Sequence, residues 1–347
     1  MADDVIQTTM ARPVSVFTPF NLDDDIVTEV PSRVTYGLWS DGSGILTGMS
    51  TSSVADASIK KYYHDVYGSG ATGSAAVEFS IAYGHVSGSG SDVSDRDNST
   101  QAIYGQYRSL LLANPNGSFI TIDGTKTLTD FIAINIKRSN LKQKLDAGNW
   151  QLNLTSTVSG THYLIDNSGG AEDTNISTVG NVLAVVSGTV VGGEVAAGAL
   201  ANKEYGLCYP EYGIILLDPR RISESLCPFD YNTASDAYYD NHGKLFGKMS
   251  GSAAVCYFEA RSEEIISSTH YFVRLKNKQY NYTTNPTFYS ASDGTIIYSE
   301  FYDNPEVYVT SIGLYNNSNE LVAVAKTSQP IKKSFSLESL FSVRLDF

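Results

Sequence analysis

The sequence predicts an α+β chain, mostly antiparallel β, with a few helices in the N-terminal half and an extended N-terminal arm. Three observations carry this. Residues Val307 to Phe347 alternate like strands, with Val307, Val309 and Ser311 on one face against Tyr308, Thr310 and Ile312 on the other. Helical spacing is confined to the region between Ser53 and Asn149, and strand patterns dominate afterwards. Tyrosine is abundant, 23 against 14 phenylalanines, among many Gly, Ser, Thr and Asn residues, a composition of strands, turns and contact surfaces.

In chain order, residues 1–30 read as an arm. Arg12-Pro13, Thr18-Pro19 and Val30-Pro31 hold it extended, because a residue before proline avoids the helical region. Its Asp23-Asp24-Asp25 run lacks the spaced oxygen ligands of a calcium loop and reads as a solvated turn. Tyr36 to Thr47 reads as a hairpin around Asp41-Gly42-Ser43-Gly44. Ser53 to Asp56 resembles a capping box, and a helix is expected to follow to Gly68, with Val54, Ile59, Tyr62, Tyr63 and Val66 mostly on one side.

Gly68, Gly70 and Gly73 spell the dinucleotide-binding string, but in the wrong context. That fingerprint needs a strand before the glycines and a helix after them, so that phosphate meets a helix N-terminus. Here the expected helix precedes and the strand Ala76 to Tyr83 follows. A second helix is expected from about Ser99 to Ala113, with Ile103, Tyr107, Leu110 and Leu111 facing inward, ended by Asn114-Pro-Asn-Gly117.

The segments SFITIDG and DFIAINIKR alternate as strands, and SNLKQKLDAGNW reads as a short helix capped by Ser139 or Asn140. From Val158 to Phe229 the pattern is almost purely β, with an antiparallel pair around Tyr209-Pro210-Glu211. Gly188 to Lys203 reads as a surface insertion, and Tyr231 to Ser252 as low-complexity sequence containing Tyr238 and Tyr239. After a further strand region, Asn285-Pro286 and Asp293-Gly294 signal turns before the strand-like TIIYSEF.

In the tail, Asn316-Asn317-Ser318-Asn319 forms a turn, Leu321 to Ala325 a strand that Pro330 should stop, and Phe341, Val343, Leu345 and Phe347 a last alternating strand expected to bury its end. The expected division is an arm (residues 1–30), an α+β domain (31–157) and a predominantly β domain (158–347).

Composition excludes several functions. A net charge of −13 argues against nucleic-acid binding, which needs a basic footprint. The opening residues MADDVIQTTM are acidic and lack an apolar h-region, so no signal peptide is expected, and no apolar run reaches membrane-spanning length, the most apolar stretch, Val182 to Val191, being broken by Gly188. Cys208, Cys227 and Cys256 form no metal-binding spacing and, being odd in number, fit a reduced compartment.

His64, His85, His162, His242 and His270 show no HxH or HExxH spacing, so no metal or cofactor is expected. His64-Asp65 reads as a local pair on a helix. Glu263-Glu264 would point to opposite sides of a strand, so they are not expected to form the paired acids that hydrolysis of a cell-wall polymer needs. No nucleophile elbow is present, and no catalytic residue is assigned.

Local positive charge suggests contact surfaces. Lys137, Arg138, Lys142 and Lys144 form one group, and Arg274, Lys276 and Lys278 would share a strand face, either as a solvated edge or as a patch for an acidic neighbour. The candidate interface residues are Arg12, Pro13, Phe17, Pro19 and Phe20 of the arm, with Arg274, Lys276 and Lys278.

The tail segment TSIGLYNNSNELVAVAKTSQPIKKSF resembles the C-terminal signature of virion structural proteins of large contractile-tailed bacteriophages, the T4-like cyanophages among them. The segments YYHDVYGSGATGSAAVEFSIAYGHVSGSGS, AINIKRSNLKQKLDAGNWQLNL and YGLCYPEYGIILLDP fit the same picture and span most of the chain in one order. The resemblance implies a non-enzymatic baseplate adaptor of the tail, present in several copies around the tail axis, contacting other tail or baseplate proteins and assembled in the host cytoplasm. A neck or tail-fibre attachment protein, or a carbohydrate- or receptor-binding module, is the alternative it leaves open.

Overall fold

The computed structural model describes residues 26–51, 63–68, 75–88, 99–156, 160–168, 174–177, 180–191, 194–197, 203–231, 240–250, 256–282 and 285–346. The described chain is mostly antiparallel β with a few helices. It divides into two compact units, Arg33–Ile265 and a second made of Met1–Ser32 with Ile266–Phe347. A boundary near Val158 does not match that division: strands Lys144–Ser156 (β9) and Gly160–Asp166 (β10), on either side of it, are hydrogen-bonded neighbours. Residues 1–25, which hold most of the arm, lie outside the described residues. Ile26–Val30 belong to a strand, β1, that continues to Gly37.

In the larger unit a sheet runs in the order β9, β10, β12 (Gly180–Val191), β14 (Gly206–Tyr209), β15 (Ile214–Leu217), β8 (Asp130–Ile136), β5 (Val77–His85), β4 (Tyr63–Tyr67) and β3 (Ser50–Thr51). The first part of β16 (Tyr257–Leu275) pairs with β9 and with the short strand β2 (Ile45–Thr47).

Both faces of this sheet are covered, which explains its unbroken apolar runs. On β8, Ile132, Ile134 and Ile136 enter one core, while Phe131 and Ala133 enter the other. On β15, Ile215 and Leu217 are likewise separated from Ile214 and Leu216. The period-2 alternation therefore sorts side chains between two dry layers instead of between core and water. The second layer lies under helix α1 (Ser99–Leu111), and the first is closed by Leu245 and Met249 of a later helix, Asn241–Met249. Burying each large apolar side chain contributes about 1.5–3 kcal/mol.

Several expectations are corrected. The residues around His64 form strand β4, paired with β5, and not the end of a helix. The part of the expected helix at 52–62 lies outside the described residues. Gly68 follows strand β4 and β5 is the next described element, a context that still lacks the helix a phosphate site requires, while Gly70 and Gly73 lie outside the described residues. Helix α1 buries Thr100, Tyr104, Tyr107 and Leu111, whereas Leu110 is exposed and Ile103 half-buried. Tyr104 wins that position by stacking on Phe131 at 5.2 Å and donating its hydroxyl to the Leu128 carbonyl at 2.9 Å.

Residues 138–140 form a single 3-10 turn, and the expected helix after them is the start of β9. The Asp41-Gly42 turn is present, closed by Gly42 N donating to Trp39 O, but β2 pairs with β16, so Tyr36 to Thr47 is not a simple hairpin. Within the expected all-β region, Asp218 caps a short helix, α2 (Pro219–Ser225), by accepting from the amides of Arg220 and Arg221. The antiparallel pair around Tyr209-Pro210-Glu211 is present as β14 and β15. Gly206 is needed in it: a Cβ there would lie 2.0 Å from the Leu216 carbonyl oxygen.

The expected insertion after Gly188 contributes strand Glu194–Ala197 (β13), paired with β12. The Tyr231 to Ser252 region contains α3 (Asn241–Met249), while Tyr238 and Tyr239 lie outside the described residues. Among the described residues no helix is long and apolar enough to cross a membrane.

In the smaller unit, strand β19 (Ser339–Asp346) pairs antiparallel with the second part of β16, Phe341 opposite Val273 and Val343 opposite Tyr271. Phe341 and Val343 are buried and Leu345 half-buried, whereas Leu340, Ser342, Arg344 and Asp346 are exposed, as the alternation requires. Phe347 lies outside the described residues. The strands β17 (Val307–Tyr315) and β18 (Leu321–Lys333) form a hairpin whose turn places Asn319 at φ 61°.

Pro330 does not end β18. The ladder slips between Val309 opposite Ile331 and Ser311 opposite Lys326, and Pro330 sits in that irregularity, where no ladder donor is required of it. The TIIYSEF segment is not a strand. It holds one isolated bridge, Tyr289 to Ile296, and runs into a short helix, α4 (Glu300–Asp303).

Candidate functional site

The feature of the smaller unit that a folded core does not explain is the β17–β18 hairpin. The two strands pair with each other and with no other described strand. A lone two-stranded hairpin is at best marginally stable in water. This one nevertheless leaves Tyr308 60 %, Val322 66 % and Val324 63 % exposed, with Leu321 and Tyr315 also open to solvent. Val322 and Val324, two residues apart, share a face. No other described strand pairs with the outer edge of β17 or β18, so a further strand could add there. The hairpin's stem carries the ion pair Lys332–Glu306 at 2.6 Å, which raises the lysine's affinity for its proton.

The basic candidates beside it do not form one face. Strand β16 ends at Leu275, so only Arg274 lies in the strand. Arg274 is engaged by Glu338 of the same chain at 2.7 Å, and this contact holds the Glu338 carboxyl below its ordinary range. Lys276 opens a turn, its amide donating to Gln279 Oε1 and its carbonyl accepting from Gln279 N, and Lys278 is exposed within that turn. Arg12, Pro13, Phe17, Pro19 and Phe20 lie outside the described residues, as does the Asp23–Asp25 run.

In the larger unit, Lys142 sits over the Tyr36 ring at 5.4 Å, while Arg138 donates to the carbonyls of Gln143 and Glu211. Lys144 and Arg33 pair with the buried Glu263, and Arg33 also pairs with the buried Asp146. Glu264, on the other side of the strand, is half-exposed, so the two adjacent acids do separate as strand geometry demands. Asp130, another buried acid, accepts from the hydroxyls of Tyr231 and Tyr83 and from Thr129. Burial, reinforced by the Asp130 charge, pushes both phenols up, so they remain proton donors to that carboxylate at neutral pH. The three cysteines are buried and none is in a disulfide.

One constellation escaped the sequence. His64 of β4 faces the first turn of α3, where Asp240 caps the helix by accepting from Gly243 N at 3.1 Å. Asp240 Oδ1 lies 3.7 Å from His64 Nε2 and 3.2 Å from His242 Nε2. The two imidazoles meet edge to face at 4.6 Å. His64 therefore partners Asp240, while its sequence neighbour Asp65 accepts from Ser80 Oγ at 2.9 Å. Only the Asp-x-His spacing was visible locally; the third member arrives through the sheet.

The chain matches no family model, no curated protein and no solved structure.

Proposed function

We propose that this chain is a non-enzymatic structural component of a contractile-tailed phage virion, a baseplate adaptor that joins neighbouring subunits. The observation that carries the assembly part is the β17–β18 hairpin, which presents valines, a leucine and tyrosines to solvent on strands with open edges. Such a surface suits a neighbour that adds a strand or covers the apolar face. The virion assignment rests on the resemblance of the tail and three further segments to phage structural proteins, and the hairpin coincides with the segment that carries it most strongly.

The test is immunogold electron microscopy of purified particles with an antibody raised against the recombinant chain. Label at the distal end of the tail is the expected result. Label at the neck would move the protein to the other end of the tail, and unlabelled particles, intact or disrupted, would reject a virion role.

A further inference from the structure

We propose that His64, Asp240 and His242 form a binding site for one divalent transition-metal ion of the zinc class, which ties the first turn of α3 to strand β4. One donor atom from each residue lies within 4.8 Å of the others. Ligands about 2.0–2.1 Å from a tetrahedral ion are separated from one another by roughly 3.3 Å. The Asp240 oxygen stands 3.2 and 3.7 Å from the two imidazole nitrogens, so an ion can be accommodated by small side-chain rotations.

The donor set selects the metal class. Two imidazoles and one carboxylate suit zinc, cobalt, nickel or copper, whereas calcium and magnesium favour oxygen ligands. His242 is almost fully buried and His64 nearly so, while the Asp240 side chain is 37 % exposed. The open side therefore lies at the carboxylate, where water can complete the coordination. Gly243 N holds Asp240 Oδ1 from behind, the kind of outer contact that fixes a ligating carboxylate. A Cβ on Gly243 would come within 2.3 Å of Asp240 Oδ2, so a larger residue there would have to displace the carboxylate.

The rival reading is a metal-free His–Asp pair. In it each imidazole donates its Nε2 hydrogen to the Asp240 carboxylate and no ion is taken up. Metal uptake therefore separates the two readings. This inference is independent of the assembly role.

The experiment uses the full chain, stripped with a chelator and then titrated with Co²⁺. One equivalent should bind, with the visible ligand-field bands of a four-coordinate site, and Zn²⁺ should displace it. Zn²⁺ should also raise the melting temperature by mass action, and EDTA should reverse the rise, while Mg²⁺ should do neither. His64→Gln and Asp240→Asn should each weaken Co²⁺ binding at least about tenfold. Asparagine still caps a helix, so the second variant keeps α3 folded. His270→Gln should bind like the parent. A folded parent that takes up no cobalt, or whose melt responds to pH but not to metal, overturns the proposal. So does unchanged binding in both ligand variants, which would place the metal at another histidine.

Discussion

Lys333 donates its ammonium to Asn281 Oδ1 at 3.0 Å in a site closed to solvent. Its other two donors reach the carbonyls of Asn277 at 2.8 Å and Ser334 at 3.0 Å. An ammonium has three donors, and here all three are used. Burial pushes the amine below its ordinary range, with Glu338 opposing that shift. The contact fastens the end of β18 to the Lys276–Asn281 turn. Lys333→Met keeps the length but strands these acceptors. A cost of about 3 kcal/mol is expected, at the upper end for a buried group left unmatched. Adding Asn281→Leu should cost less than the sum of the two single changes, because the pair shares one interaction. Denaturant melts of the four proteins measure this, and strict additivity would refute it.

The terminal strand should contribute through Phe341 and Val343. Phe341→Ala removes a buried ring opposite Val273 and should cost about 3 kcal/mol or more. Leu340→Ser, at a neighbouring exposed position, should change stability by no more than about 0.5 kcal/mol. Truncation from Leu345 onward should lower the melting temperature or the soluble yield. A truncated chain that melts like the parent would show that β19 does not hold the unit together.

These strands were legible because alternation with a period of two survives wherever one face is buried and the other wet. The same rule identified β8, although it could not say that both faces would be dry. It failed where two periods coincided. Tyr62, Tyr63 and Val66 fit a helical stripe, yet Tyr63–Tyr67 pair as a strand with Ala82–Val77. Aromatic and β-branched residues favour that outcome, and sheet pairing decided it.

Helix α3 was hidden because Gly243 and Gly247 dilute its pattern, leaving Leu245 and Met249 as its buried apolar anchors. The His64–Asp240–His242 cluster was unreadable for a different reason: no local spacing joins residues brought together by a sheet and a helix.

Acid should loosen the β16–β19 ladder. The hydroxyl of Ser268 and then the guanidinium of Arg344 hold the Asp346 carboxyl below its ordinary range. Arg274 does the same for Glu338. A depressed folded-state value means that the contribution is complete above the unfolded values, about 3.9 for Asp and 4.3 for Glu, and is lost as pH falls through the folded ones. The free energy of opening in β19, obtained from amide exchange after correction for the intrinsic pH dependence of the exchange rate, should therefore be constant between about pH 5 and 7 and fall below about pH 4. Asp346→Asn should flatten part of that response. An opening free energy that is equally acid-sensitive in the variant would remove Asp346 from the account.

The proposed joining role of the hairpin gives the sharpest test that separates folding from assembly. Val322 and Val324 lie on one exposed face of β18 and contact solvent, so replacing both with aspartate removes little buried area within the chain. The ladder to Gly313 on β17 uses backbone groups and survives the change. The melting temperature should therefore stay close to that of the parent. A neighbour seated on that face would have to bury two unpaired charges, which is far costlier than burying valines. Incorporation into particles should then fall at least about tenfold, while soluble folded protein remains. Lys333→Met provides the opposite pattern, losing stability first and incorporation only as a consequence. Co-sedimentation with particles, paired with a thermal melt of each variant, resolves the two. If the double aspartate variant enters particles as well as the parent does, the hairpin is not the joining surface.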